Sequence, residues 1–195
     1  MCGIVGGVTN NDITALLLEG LNRLEYRGYD SSGLIVLSKN NTFDRARSVG
    51  KVKNLQANLK ARDEKISGNI GIAHTRWATH GEPTIDNAHP HISKNSVSLV
   101  HNGIIENYID LKNEQLNRGY SFSSETDTEV IAHEIDFAMK SCSTFISSVQ
   151  HAIKTFTGSY GLGVISSSYP DQIIATRKGS PLVIGIGKNG NYIAS

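Results

Sequence analysis

The second residue of the chain is a cysteine whose position gives it a route to nucleophilic chemistry. The chain opens MCGIVG over residues 1–6. Removal of Met1, which a small second side chain permits, would leave Cys2 with both a thiol and a free α-amine. An α-amine has a reference pKa of about 7.7–8.0, so it can accept the thiol proton at neutral pH. The alternative is that Cys2 is a small apolar residue entering a buried strand, because free cysteine is among the most buried residue types.

Residues 74–81 (HTRWATHG) form the densest group of chemically versatile side chains. They begin where a strand ends and a loop starts, and binding residues are commonly built on such loops. Arg76 offers a planar fork that suits a carboxylate, and Trp77, the single tryptophan, suits a lid over a small ligand. The alternatives are that Arg76 is a surface cation and Trp77 anchors the core.

Five of the seven histidines lie between residues 74 and 101, so a zinc site has to be considered. They are His74, His80, His89, His91 and His101. The sequence has no H-E-x-x-H pattern, and no cysteine lies near these residues. We therefore predict no metal site and interpret the histidines as turn and core residues.

Two further segments carry polar groups that suit catalysis. In Asn102-Gly103, a side-chain amide beside a glycine N–H supplies two donors that can converge on one oxygen, as an oxyanion hole requires. An ordinary Asn-Gly turn is the alternative. Asp127 is predicted at a helix start, where it would stay ionised and hold a ligand ammonium group or only stabilise the helix. Residues 26–31, which include Arg27, are predicted to form an ordered turn after a helix.

The elements that must position these residues follow from apolar periodicity. Strands are predicted near residues 4–8, 34–37, 70–73, 97–100, 160–165, 172–176, 182–186 and 192–194. Helices are predicted after Asp12, with Leu17, Leu21 and Leu24 on the apolar face, and near residues 52–59, 107–118, 127–140 and 145–156. Residues 126–129 match a capping box, and residues 78–95 are predicted to be a loop. Strands at both ends joined by short turns favour an α+β fold with antiparallel sheets in one domain.

Composition excludes several classes of protein. The 195 residues are 38% hydrophobic and 19% charged, with a formal net charge of +1, which is ordinary globular composition. Scattered Lys and Arg predict no nucleic-acid or membrane-surface partner. No apolar run approaches the roughly 18–20 residues that a membrane span needs, and the start does not resemble a signal peptide. Two cysteines, Cys2 and Cys142, predict free thiols in the cytoplasm.

Taken in order, the motifs resemble those of the class II, or N-terminal nucleophile, glutamine amidotransferases. The resemblance covers residues 1–6, 24–31, 74–81, 88–91, 101–107, 124–129 and 180–185. The blocks at 26–31 and 74–81 favour the branch that aminates a sugar phosphate over the sister branches that make phosphoribosylamine, asparagine or glutamate. The fold that the resemblance implies is a four-layer αββα sandwich of two antiparallel sheets, the N-terminal nucleophile hydrolase fold.

The resemblance also implies a reaction for the nucleophile. Cys2 would attack the side-chain amide carbon of L-glutamine, and its own α-amine would relay the proton to the departing ammonia. The side chain of Asn102 and the N–H of Gly103 would stabilise the tetrahedral oxyanion. Arg27 would support the nucleophile loop. Water would then hydrolyse the γ-glutamyl thioester to glutamate, without a cofactor.

The same resemblance implies how the substrate is held. Arg76 would bind the α-carboxylate of glutamine and Asp127 its α-ammonium group. Thr79 and His80 would line the pocket, and Trp77 would be a mobile gate over it. A zwitterion needs one fixed cation and one fixed anion, and both are available here.

The whole enzymes of this branch contain more than a glutaminase domain. Residues 1–195 are interpreted as that domain, truncated at its C-terminus, while the sugar isomerase region that would use the ammonia to convert fructose 6-phosphate to glucosamine 6-phosphate is absent. That missing region is also expected to carry the homo-oligomer contacts. While Met1 remains, the α-amine is blocked. A silent glutamine-binding module is therefore one alternative function, and a histidine-rich metal protein is another.

Overall fold

The computed structural model describes residues 2–78 and 80–195. The strands are β1 (Gly3–Thr9), β2 (Ser31–Leu37), β3 (Phe43–Val49), β4 (Ile70–Arg76), β5 (His91–Ser93), β6 (Val97–Ile105), β7 (Gly158–Ser166), β8 (Tyr169–Lys178), β9 (Val183–Gly187) and β10 (Gly190–Ala194). The helices are α1 (Thr14–Leu24), α2 (Val52–Lys60), α3 (Tyr108–Asn117), α4 (Glu129–Ala138) and α5 (Phe145–Ala152). Short 3₁₀ turns at Glu25–Arg27 and Ile153–Thr155 extend α1 and α5.

Within the described residues, the strands form two antiparallel sheets. The first has six strands in the order β3-β2-β4-β1-β10-β9, and the second has four in the order β5-β6-β7-β8. Strand β1 is therefore central in its sheet, with β4 on one side and β10 on the other. The register places Gly3 opposite Thr75, which brings the start of β1 next to the end of β4.

Three separate apolar clusters show that the molecule has four layers. Helices α1 and α2 cover the outer face of the six-stranded sheet through a cluster that includes Leu17 and Leu55. A second cluster, which includes Ile72 and Val100, fills the space between the two sheets. The third joins the four-stranded sheet to the remaining helices and includes Phe145. The predicted α+β class and the four-layer αββα sandwich are both confirmed.

The side-chain alternation of the strands explains why their sequences read as unbroken apolar runs. In β1, Ile4 lies in the cluster between the sheets, whereas Val5 lies in the cluster under α1. Strand β2 divides in the same way, with Leu34 facing the helices and Ile35 facing the other sheet. Successive residues of a strand point to opposite faces, so a sheet buried on both faces needs apolar residues at consecutive positions.

Two strands and one strand end differ from the prediction. Strand β3 was not predicted, because its sequence FDRARSV alternates small and charged residues at the edge of the sheet. Strand β5 lies inside the predicted loop at residues 78–95. Strand β6 continues through Asn102 and Gly103 to Ile105, paired with β7 along its full length. The interpretation of Asn102-Gly103 as a turn is therefore wrong.

The predicted capping box at residues 126–129 is also wrong. Helix α4 begins at Glu129, and its N-cap residue Thr128 accepts no side-chain capping bond. The Glu129 carboxylate instead accepts the backbone N–H groups of Ser123 and Ser124, at 3.1 and 2.8 Å. Sequence spacing alone did not distinguish a cap from a carboxylate that holds the preceding loop.

Among the described residues, no helix combines the length and the apolar character that would let it cross a lipid bilayer.

Candidate active site

A cavity of about 480 Å³ opens where the starts and ends of several strands meet. Its lining includes eight of the nine residues predicted to form a site: Cys2, Arg27, Arg76, Trp77, His80, Asn102, Gly103 and Asp127. The ninth, Thr79, lies outside the described residues. Residues from distant parts of the sequence thus converge on one cavity, as the prediction requires.

The sulfur of Cys2 lies against the backbone of the loop that follows β4. The Trp77 N–H donates a hydrogen bond to Cys2 Sγ at 3.1 Å. Burial raises the pKa of the Cys2 thiol, and this effect outweighs the lowering that the Trp77 hydrogen bond and the Arg76 charge produce. A thiol with a raised pKa stays protonated at neutral pH, so nucleophilic attack requires a base.

Asn102 is fixed next to Cys2 by contacts at both ends of its amide. Its Oδ1 lies 2.9 Å from His74 Nε2. Its Nδ2 donates to the Ser195 hydroxyl at 2.7 Å and to the Cys2 carbonyl at 3.3 Å. Burial lowers the pKa of His74 to about 3, so the ring is neutral at neutral pH. Because an amide oxygen can only accept, Nε2 is the ring nitrogen that carries the proton in this contact. The oxygen of Asn102 therefore faces His74 and the N–H groups face Cys2.

Gly103 is held in a backbone conformation that other residues rarely adopt. Its φ is 136°, and a Cβ built at this position would lie 2.0 Å from the carbonyl oxygen of Ser159. Strand β7 passes too close for any side chain. Glycine is required here because the neighbouring backbone occupies the space.

Arg76 is almost fully buried, so it is not the surface cation of the alternative interpretation. Its guanidinium donates to the carbonyls of His80, Gly81 and Glu82, the last two at 3.2 Å each. Asp30 Oδ1 lies 3.6 Å from Nη1. The loop of residues 80–82 is thus folded around the arginine, which lines the cavity at the same time.

Asp30 was not predicted as a site residue, although it organises the same loop. Besides facing Arg76, its carboxylate accepts the N–H of Ala78 and the hydroxyl of Ser31. The backbone N–H of Asp30 in turn donates to the Arg76 carbonyl at 2.7 Å. An aspartate on the predicted turn at residues 26–31 was the only sequence signal for this role.

Trp77 does not anchor the core, because 54% of the residue is exposed. Its ring lies directly on Gly28, where a built Cβ would be 1.9 Å from the ring carbon Cζ3. Gly28 also has a φ of 98° and follows the 3₁₀ turn after α1. The tryptophan therefore rests on the surface at the mouth of the cavity.

Asp127 lies two residues before α4 and is 4% exposed. Its Oδ2 accepts the N–H of Ile105 at 2.8 Å, so its main-chain partner is the end of β6. Burial lowers the pKa of His101, and the negative charge of Asp127 offsets only part of that lowering. The carboxylate is held by strand β6, not by the first turn of α4.

Ser195 supports two residues of the site, Asn102 and Arg27, and the sequence did not indicate this role. Its hydroxyl accepts the N–H of Ile4 at 2.9 Å as well as the Asn102 amide. Its carbonyl accepts Arg27 Nη1 at 2.7 Å. Arg27 therefore reaches the nucleophile strand through Ser195. This arrangement depends on the pairing of β1 with β10, which no local sequence signal reveals.

Four buried histidines lie at or next to the cavity: His74, His89 and His101 line it, and His91 packs behind His89. His74 stacks on His89 with ring centres 4.2 Å apart, and His89 contacts His91 edge to face at 4.8 Å. Burial lowers the pKa of each of these three rings and of His101. Across residues 2–78 and 80–195, no group of three or more His, Cys, Asp or Glu side chains is arranged to hold a metal ion.

We expect stability to fall as the pH is lowered from 7 to 5. In the unfolded chain a histidine binds a proton near its ordinary pKa of about 6.5, whereas His74 in the folded state binds one only near a pKa of about 3. Between these values unfolding takes up a proton, so His74 alone costs about 2 kcal/mol at pH 5. Urea unfolding at the two pH values measures the change.

NMR of the His74 ring separates the contribution of His74 to the loss of stability from that of carboxylates that also bind protons as the pH falls. The NMR signals of the His74 ring should not shift between pH 7 and 5, because the ring stays neutral. A ring that titrates near pH 6.5, or a protein that is more stable at pH 5, would contradict the expectation.

The solved structures that resemble the chain define its structural class. The phosphoribosylpyrophosphate amidotransferase of Bacillus subtilis superposes with a TM-score of 0.83 at 24% identity, over 99% of this chain and 41% of that one. A structure described as the allosteric regulatory enzyme of purine biosynthesis gives 0.84 at 26% identity, over 100% of this chain and 42% of that one. The fold is that of the N-terminal nucleophile amidotransferases.

The sequence comparisons then show the family. A model described as a glutamine amidotransferase domain matches residues 74–195. Glutamine–fructose-6-phosphate aminotransferase (isomerizing) of Pseudomonas putida is 53% identical over 195 residues, which are 100% of this chain and 32% of that protein. The Acinetobacter baylyi protein of the same name is also 53% identical, with 31% of its length covered. The chain belongs to the glutamine amidotransferase family, and it spans about a third of the length of these curated relatives.

Proposed function

We propose that the chain hydrolyses the side-chain amide of L-glutamine, releasing glutamate and ammonia. One observation carries the proposal: Cys2 and the N–H groups of Asn102 meet in the cavity that Arg76 and Asp127 also line. Amide hydrolysis needs a nucleophile, donors for the oxyanion, and groups that orient the substrate. The residues that line this cavity include candidates for all three roles.

The proposed reaction begins with Met1 removed. The α-amine of Cys2 then takes the thiol proton, which a thiol with a raised pKa does not release unaided. The sulfur attacks the amide carbon, and the N–H groups of Asn102 and Gly103 stabilise the oxyanion. The C–N bond breaks as the amine returns the proton to the nitrogen, which leaves as ammonia. Water then adds to the γ-glutamyl thioester, and cleavage of the C–S bond gives glutamate and restores the thiol.

Asn102 must release one contact to take this role. Its bond to the Cys2 carbonyl, at 3.3 Å, is the longer of the two that Nδ2 donates. The N–H in that bond is the donor that would turn to the oxyanion, while the 2.7 Å bond to Ser195 keeps the amide in place. Catalytic hydrogen bonds often reach their short geometry only when the reacting group is bound.

The head group of glutamine would be held by opposite charges. Arg76 is assigned to the α-carboxylate and Asp127 to the α-ammonium group. Both are nearly buried, and a charge pair in such a site interacts more strongly than in water. His80 lines the cavity. Thr79, which precedes it in the sequence, is also proposed to contact the substrate. Trp77, exposed at the cavity mouth, is proposed to cover it.

The role proposed for the whole protein follows from its relatives. Their name supports transfer of the ammonia to fructose 6-phosphate, which would give glucosamine 6-phosphate. In that proposal, a sugar isomerase region of the whole protein is the partner of this domain and carries the homo-oligomer contacts. The two free cysteines support a cytoplasmic location.

An electrophilic glutamine analogue tests the proposed function in the whole protein that carries this sequence. We expect 6-diazo-5-oxo-L-norleucine to alkylate one thiol, with loss of N2, and to stop glutamate release, because its ketone carbon takes the place of the amide carbon and its reactive diazo carbon takes the place of the amide nitrogen. Peptide mapping should locate the label on an N-terminal peptide that begins with Cys2. Glutamine binding without labelling or hydrolysis would instead support a silent binding module. Full activity with Met1 retained would refute the mechanism in which the α-amine of Cys2 is the base.

A further inference from the structure

Asn87 is a buried amide that joins two segments of the site without lining the cavity. It is 2% exposed. Its Nδ2 donates to the Glu82 carbonyl at 2.9 Å and to Glu125 Oε2 at 3.1 Å. Its Oδ1 accepts the backbone N–H of Glu125 at 2.9 Å. The amide uses both of its N–H groups and its oxygen, so a side chain with only donors or only acceptors would not replace it.

The two joined segments carry the two charges that are assigned to the substrate. On one side, the Glu82 carbonyl accepts from Arg76 as well as from Asn87. On the other side, Glu125 is two residues before Asp127. A continuous path of hydrogen bonds and short backbone therefore runs from the guanidinium to the carboxylate through Asn87.

The packing at Gly81 shows independently that these segments meet at this point. Gly81 has a φ of 71°, and a Cβ built there would lie 2.6 Å from Asn87 Nδ2. The same Cβ would lie 3.0 Å from Glu125 Cβ. The loop around Arg76 thus lies against both Asn87 and the segment before Asp127.

Asn87 is itself anchored to a third part of the structure. Its backbone N–H donates to Thr84 Oγ1 at 3.2 Å. The next residue, Ala88, is fully buried, and its carbonyl accepts Arg47 of the edge strand β3 at 3.0 Å. Asn87 is therefore fixed relative to the six-stranded sheet.

We propose that Asn87 is a positioning residue that sets the spacing between Arg76 and Asp127, and so selects substrates that carry both an α-carboxylate and an α-ammonium group. The proposal rests on the proposed function, in which these two charges bind the glutamine head group. Asn87 acts through the two segments that it joins and makes no contact with the substrate.

The test compares L-glutamine with glutaramate, which has the same amide and carboxylate but no α-amino group. In Asn87→Ala, kcat/KM for glutamine should fall about tenfold, mainly through KM, because both segments lose their common partner. Glutaramate does not use Asp127, so its kcat/KM should fall less than about threefold. The preference for glutamine over glutaramate therefore shrinks. Asn113→Ala, on the exposed face of α3, is the matched control and should leave the preference unchanged.

Three further variants keep the proposal testable if Asn87→Ala fails to fold. Glu125→Ala removes an exposed side chain and one of the three bonds, so the preference should fall about twofold to threefold. Asn87→Asp places two carboxylates together and should reduce the preference further. Adding Glu125→Gln to Asn87→Asp restores a donor and acceptor pair, and should recover part of the loss.

Three outcomes would overturn the inference. They are an equal loss of kcat/KM with both substrates in Asn87→Ala, an unchanged preference for glutamine in Glu125→Ala, or no recovery of that preference when Glu125→Gln is added to Asn87→Asp. The first is what a merely structural role predicts, because it lowers the active fraction for every substrate alike. These outcomes differ from failure of the proposed function, in which the unaltered protein itself would not hydrolyse glutamine.

Discussion

Replacing Cys2 with alanine should abolish glutamine hydrolysis while leaving glutamine binding measurable. We expect glutamate release to fall by at least about 10⁴-fold, because removal of a covalent nucleophile leaves no group that can form the thioester. Arg76 and Asp127, which are assigned to the head group, come from β4 and from the segment before α4. Alanine at position 2 leaves both in place. A coupled glutamate assay and calorimetric titration with glutamine measure the two properties.

The second cysteine provides the control for this variant. Cys142 is partly exposed like Cys2, but it is not among the residues of the cavity. Cys142→Ala should therefore retain full hydrolysis and lose no labelling by the electrophilic analogue. Continued glutamate production by Cys2→Ala would refute the mechanism.

The second large effect is expected at Asn102, through kcat and not through KM. Loss of one oxyanion donor typically lowers kcat by about 10²–10³-fold. Asn102→Asp is the sharper substitution, because it keeps the oxygen facing His74, loses the N–H donors and adds a negative charge that repels the oxyanion. Asn102→Ala would also leave the buried His74 Nε2 unpaired, at a cost of about 1–3 kcal/mol in stability.

Steady-state kinetics of both variants distinguish transition-state stabilisation from substrate binding. If Asn102 stabilises the oxyanion, kcat and kcat/KM should fall together. A raised KM with kcat within about threefold of the unaltered value would show that Asn102 binds the ground state instead. Thermal unfolding of Asn102→Asp checks that the change in rate is not a loss of folded protein.

Much of the fold was predictable because both sheet faces are buried. Apolar runs such as the one in β2 mark central strands directly, since helices cover one side and the other sheet covers the opposite side. The spacing of Leu17 and Leu21 likewise predicts the face of α1 that packs on the sheet. By contrast, β3 is an edge strand in which charged residues alternate with small ones, so its sequence lacks the apolar run that marks the central strands.

Part of the candidate site was predictable, namely the residues whose type and position in the sequence indicate a chemical role. Cys2 at the second position of the chain and Arg76 beside the single tryptophan, Trp77, are such residues. Asp30, Asn87 and Ser195 were not predictable, because their importance lies in what they connect. Each bonds to at least one backbone group far away in the sequence, and those partners are known only once the sheets and loops are assembled.

The central position of β1 reconciles two demands that conflict in most proteins. Chain termini usually fray, yet the proposed chemistry places its reactive group on the first residue of a processed chain. Here the very next residue, Gly3, is already paired with β4, and Ile4 is bonded to Ser195 on the other side. The proposed nucleophile would therefore be a chain end in its covalent chemistry and part of a sheet interior in its mechanics. Once Met1 is removed, its amine would be free to react, while pairing on both sides of β1 restrains the backbone that carries it.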